Sequence, residues 1–228
     1  SAYRFSFMSK LILIALLPLL LLFGSNSGDS LVSAAKSDSN NTGLLEKMIV
    51  ANGGVSFDLN LDRLNGTRAK GERTTPLRFA SEENAFFTIL VFNGELRGPT
   101  PSAMKLIPQG TAAVPAKLRA SYDRLMIESP EWGESYDLAV KDSKTGFAFF
   151  QIVGDEYNYD QDQRSLAITG GQILVTREFA QALGRPSLEG VNVGSINLSA
   201  AMRTIEVTQM MDGEVKSDVL PEIGRAHV

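Results

Sequence analysis

The chain has no cysteine, one histidine and one tryptophan in 228 residues. Without cysteine there is no disulfide, no thiolate zinc site and no cysteine nucleophile. The single histidine, His227, is next to the last residue. It lies in Ile223-Gly224-Arg225-Ala226-His227-Val228, which is what a common sequencing adapter, ATCGGAAGAGCACACGTC, gives on translation. Residues 223–228 are therefore expected to be adapter read-through, with the natural chain continuing differently beyond Pro221. That leaves no histidine for Ser-His-Asp catalysis. An excess of positive charge is also missing: 22 Lys and Arg against 26 Asp and Glu give a net charge of −4, which does not suit a phosphate backbone. Phosphate-loop, dinucleotide and zinc-protease motifs are absent from the sequence.

Long hydrophobic runs are scarce as well. The longest, Leu11 to Phe23, falls short of the roughly 20 residues that cross a bilayer. It follows Met8 and Lys10 and fits the apolar stretch of a secretory signal, about 7 to 15 residues. Translation is expected to start at Met8, with 1–7 as upstream sequence read in frame and 8–35 as a signal peptide. Val32-Ser33-Ala34 and Ser33-Ala34-Ala35 are candidate cleavage sites, as is the earlier Ser25-Asn26-Ser27; the alternative is an uncleaved anchor. The expected location is secreted, cell-surface or periplasmic. Without leader and tail the net charge is about −6. The 43% hydrophobic content places the remainder among globular chains, long enough for one domain or two small β lobes.

What is present is alternation. Tyr136, Leu138 and Val140 alternate with Asp137 and Lys141, the period of two that puts one strand face on a core. Asp142-Ser143-Lys144-Thr145-Gly146 reverses the chain. Phe147 to Val153 is a short apolar, aromatic-rich run that predicts a strand covered on both faces. Tyr157 and Tyr159 alternate with Asn158 and Asp160. Leu166 to Ile168 and Ile173 to Val175 predict two further strands broken by Gly170-Gly171. Upstream, 36–54 is a polar linker with a first element, leaning to strand, that stops at Asn52-Gly53-Gly54. Val55, Phe57, Leu59 and Leu61 alternate with polar residues. Phe86 to Phe92 runs into Asn93-Gly94, a strong hairpin signal. Prolines 108 and 115 interrupt Met104 to Ala116, which is expected to be a surface crossover. Thr176 to Pro186 predicts a helix with Thr176 as cap and Phe179, Ala182 and Leu183 on one face. Val191 to Leu198, Thr204 to Gln209 and Val215 to Leu220 complete the strands, with Asp212-Gly213 as a tight turn. The fold class is all-β: an antiparallel β-sandwich or flattened barrel over 55–221 with one short helix.

Few constellations carry chemistry. Asp58, Asn60 and Asp62 imitate the opening of a calcium loop, but Arg63 stands where its glycine belongs, and a solvated strand face is the favoured reading. Asp155, Glu156, Asp160 and Asp162 form the densest acidic patch, a weak calcium site that calcium would reveal by raising the melting temperature. Trp132 is a candidate for stacking on a sugar, against the commoner role of lid on the core. No catalytic residue, no cofactor other than that possible calcium and no nucleic-acid partner is assigned. Contact with a membrane is expected only through the signal peptide during export.

Gly53-Gly54-Val55-Ser56-Phe57-Asp58-Leu59-Asn60-Leu61-Asp62-Arg63-Leu64, Leu90-Val91-Phe92-Asn93 with Leu96-Arg97-Gly98-Pro99, and Leu183-Gly184-Arg185-Pro186 together resemble the N-terminal region of uncharacterised secreted bacterial proteins. The resemblance covers most of Gly53 to Leu220 and implies an exported chain that continues into a further C-terminal region. It lends no activity and no functional residue. The expected function is therefore a non-catalytic structural, adhesive or interaction module with a protein or cell-surface partner. A carbohydrate-binding accessory module and a carboxylate-based hydrolase are the alternatives.

Overall fold

The computed structural model describes residues 43–67, 73–211 and 214–219. The signal segment, the Asp212-Gly213 turn and the 223–228 tail lie outside these residues. The described strands are β1 Gly43–Leu59, β2 Thr75–Ser81, β3 Ala85–Phe92, β4 Glu95–Pro99, β5 Ser102–Pro108, β6 Leu125–Ser129, β7 Leu138–Asp142, β8 Ala148–Val153, β9 Glu156–Asp160, β10 Ser165–Val175, β11 Asn192–Met211 and β12 Glu214–Val219. Three short helices join them: α1 Leu61–Asn65, α2 Ala116–Arg119 and α3 Arg177–Ala182.

Strands β1, β2, β5, β6, β7, β8, β10 and β11 pair in that order, and β11 returns to β1, closing an eight-stranded antiparallel barrel. β1 and β11 are long because each serves twice. Gly54–Leu59 pair with β2 inside the barrel, while Leu45–Val50 carry β3 and β4 beyond it. The far end of β11 takes β12. An eight-stranded barrel is just wide enough for its own side chains to fill, and Phe57, Phe79, Ile127, Val140, Ile152 and Ile196 belong to one continuous core. The alternate residues are mostly polar and face out, the reverse of a membrane-spanning barrel.

Glycine pairs read as strand breaks are bends within strands. β1 runs unbroken through Asn52-Gly53-Gly54, with a register shift between Val50 and Asn52. A Cβ on Gly53 would lie 2.8 Å from Ser199 O, so close packing of β1 on β11 requires glycine there. β10 is likewise one strand, bulged between Ile168 and Gly171, because a bulge absorbs an extra residue without ending the ladder. β11 joins the two segments expected at 191–198 and 204–209.

The expected crossover at Met104–Ala116 is corrected: its first part is β5, a barrel strand burying Met104 and Leu106. Its prolines fall just before the strand and at its last residue, where a missing amide costs little. The sequence predicted one helix; α1 and α2 are additional single turns. Asn60 caps α1 by accepting the Arg63 amide at 2.9 Å, and Asp62 accepts the Thr67 hydroxyl at 2.7 Å. These two calcium-loop mimics therefore serve a helix and its exit rather than a strand face.

All three helices lie at one end of the barrel, between β1 and β2, β5 and β6, and β10 and β11. Thr176 caps α3 as expected, accepting the Phe179 amide. The face buried is Phe179 and Ala180 with Leu183 partly covered, whereas Ala182 is exposed. Arg185, just past α3, donates to Arg63 O at 2.7 Å and to Leu64 O, so its guanidinium closes the C-terminal turn of α1. Such charge-assisted bonds to helix-end carbonyls are worth about 1–3 kcal/mol. Arg185→Ala is expected to lose that much in denaturant unfolding, and Arg185→Lys to recover part of it.

Candidate functional site

The outer wall of the barrel is not uniformly covered by side chains. Antiparallel register sets Ala80 opposite Gly54, Gly54 opposite Ser199, and Ser199 opposite Ala167. One rung across β2, β1, β11 and β10 therefore carries only small residues. The next rung sets Arg78 against Ser56 and Ser56 against Asn197. Small floor and larger borders leave a depression of about 740 Å³, edged by Arg78, Gln109, Asn197 and Thr169. Packing within the chain does not demand the smallness of Gly54, because a Cβ there would meet nothing closer than Phe79 O at 3.8 Å. Guanidinium, amide and hydroxyl groups around a floor without bulk let a ligand backbone approach closely and exchange hydrogen bonds with the rim.

A second cleft of about 540 Å³ lies at the helix-capped end and is lined by Asp58, Asn60, Arg63, Thr74, Asn192 and Ser195 among others. Arg63 donates to Asn192 O across it at 3.0 Å. With the Asn60 amide donating to Val193 O at 2.7 Å, this bond holds α1 to β11, so the cleft reads as a joint.

The sequence-derived candidates fare differently. Trp132 sits in the turn between β6 and β7 and is 81% exposed, so the lid-on-core alternative does not describe it. Of the acidic patch, Glu156 and Asp160 share the exposed face of β9, and Asp160 accepts the Gln163 amide at 2.9 Å within the turn that contains Asp162. Asp155 points the other way, and both its carboxylate oxygens are buried. The four do not converge, and among the described residues no group of three acidic, histidine or cysteine side chains is placed to hold a metal ion. The acidic run is dense in sequence because a strand and its turn are polar on one side. Sequence reasoning missed the groove: outward small residues at 54, 80, 167 and 199 are visible one strand at a time, but the register that aligns them is not.

The fold and surface define a class: an eight-stranded antiparallel barrel, plugged by helices at one end and grooved on its outer wall. No protein-family model matches the chain, and no solved structure matches it. It is similar to the exodeoxyribonuclease 7 large subunit of Geotalea daltonii, 34% identical over 122 residues, which is 49% of this chain. The chain spans 27% of the length of that curated relative.

Proposed function

We propose that this chain is a non-catalytic, exported interaction module whose barrel wall binds an extended segment of a protein partner, at the N-terminal side of a longer secreted bacterial protein. The observation that carries the reading is the small-residue rung Ala80, Gly54, Ser199 and Ala167 with its polar border. Export is supported by the apolar stretch after Lys10 and by the resemblance to secreted bacterial chains. The acidic excess, 26 against 22, disfavours the nucleic-acid role that the relative's name would suggest.

The test is a displayed-peptide selection on the immobilised full chain, run beside Ser199→Tyr and Ala80→Tyr, which fill the groove from outward positions. The wild type is expected to enrich extended peptides and both variants to lose them. Stability should stay within about 0.5 kcal/mol, as for surface substitutions generally. Enrichment that survives both substitutions contradicts the reading. A second reading, carbohydrate binding, is favoured by the exposed indole of Trp132. A glycan-array signal abolished by Trp132→Ala supports that alternative, and a blank array supports the first.

A further inference from the structure

β9 is not a separate arm but the continuation of β8 beyond a kink. β8 pairs with β10 up to Val153 opposite Gln172, and β9 resumes along the same edge with Glu156 opposite Thr169. Between them lie Gly154 and Asp155, facing the bulge of β10 at Gly170-Gly171. Gly154 has φ +69 and Gly170 φ +77, so both strands bend at the same level through left-handed glycines. The Asp155 side chain is wedged into this double bend. A Cβ on Gly171 would lie 3.1 Å from Asp155 Cβ, between Ile152 and Ile196.

The wedge is electrostatically incomplete. Both oxygens of Asp155 are buried without a hydrogen bond of good geometry. The buried Tyr157 hydroxyl beside them is a neighbouring donor that favours the ionised form, and burial and Asp137 oppose it. The other charged neighbour is Asp137, from the loop before β7, whose Oδ2 accepts the Gly154 amide at 2.7 Å. From β8, β10 and β11 the facing residues are Ile152, Gly171 and Ile196, which carry no charge. Two ionised carboxylates at this contact can only accept, so neither satisfies the other. One proton converts the pair into donor and acceptor. Burial, reinforced by Asp137, pushes the Asp155 carboxyl up to about 7.

We propose that Asp137 and Asp155 form a proton-operated latch: one shared proton locks the kink at Gly154-Asp155 and holds β9 on β10, and its loss loosens β9 from the barrel. Both oxygens of Asp155 are buried and out of reach of a substrate, whereas Asp137 is exposed, so the two do not line a common site as a hydrolytic dyad does. β9 binds the stretch of β10 that contributes Ala167 and Thr169 to the groove. Any effect on the groove rests on the function proposed above; the latch itself does not.

The sign follows from the raised folded value. Asp155 contributes most below its unfolded pKa, about 3.9, loses that contribution as pH rises to about 7, and changes nothing further above it. Hydrogen exchange of the full chain, corrected for intrinsic rates, reads the latch directly. From about pH 5 to pH 8 the opening of Glu156–Asp160 is expected to increase by up to about 100-fold, tenfold per unit up to the folded value. Residues of β7 should move far less. Asp155→Asn, whose amide donates to Asp137 at every pH, should remove the dependence. Protection of β9 that is flat with pH in the wild type, or that falls equally in Asp155→Asn, overturns the latch. As an independent check on unmodified protein, the Asp155 carboxyl carbon should titrate near neutrality by NMR; an inflection below about pH 5 overturns it too.

Discussion

Phe179→Ala is expected to lower the unfolding free energy by about 3–5 kcal/mol, the range for removing a buried aromatic ring. Phe179 is fully buried and is the one large side chain that α3 drives into the barrel end. Its ring meets Phe149 at 5.1 Å and Phe150 at 5.5 Å, both edge to face, a geometry that adds about 0.5–1.5 kcal/mol to the area buried. With domain stabilities of about 5–15 kcal/mol, the truncated protein should sit near its unfolding threshold. Phe179→Leu, which keeps most of the volume, should cost clearly less. Urea unfolding of the full chain measures both. A loss under about 1 kcal/mol for the alanine variant would mean that the plug is not part of the cooperative core.

Asp142→Ala is expected to cost about 2–4 kcal/mol, from the loss of several charge-assisted hydrogen bonds in a buried site. Asp142, at the end of β7, is 1% exposed. It accepts the Lys144 amide at 2.8 Å, the Thr145 amide at 3.0 Å and Arg124 at 3.0 Å. Burial alone would raise its carboxyl. The hydrogen bonds from Ser121, the two amides and Arg124 outweigh burial and hold it well below the ordinary range. A depressed folded value means that this stabilisation is complete above the unfolded pKa, about 3.9, and drains away as pH falls below it. Wild type should therefore lose stability on acidification below about pH 4, while Asp142→Asn should lose less over the same interval. Identical acid profiles for the two proteins would show that the turn does not depend on the ionised carboxylate.

The two aspartates illustrate why sequence gives residue types but not titration. Asp142 opens the predicted turn 142–146, and its role in closing that turn is local, set by amides two and three residues on. Asp155 was visible only as one of four acids. Its partner Asp137 is 17 residues away from Gly154 in the chain and comes close because β7 and β8 are neighbours.

The same division runs through the fold. Period-two stretches at 55–59 and 138–140 became strands because alternation is a local consequence of burying one face, and the short apolar run 86–92 became one because it leads into a hairpin turn. Asn93-Gly94 became the β3–β4 turn, with φ of +50 and +82 at its two central residues. β5 was hidden because prolines at 101 and 108 frame it closely enough to resemble a loop. Barrel closure was undetermined between sandwich and barrel, because it depends on β1 meeting β11 across more than a hundred residues. Exposure of Trp132 was equally out of reach: a lone indole flanked by Glu131 and Gly133 has the same local sequence on a lid or a free turn.

The most direct test of the binding-module account is an NMR titration of the full chain with a peptide recovered from the selection, following backbone amides. The account predicts shifts confined to Gly53–Ser56, Arg78–Ala80, Ala167–Thr169 and Asn197–Ser199, with none in Ser199→Tyr. Shifts centred instead on the Glu131–Gly133 turn, or on the cleft between Asp58 and Asn192, would contradict it.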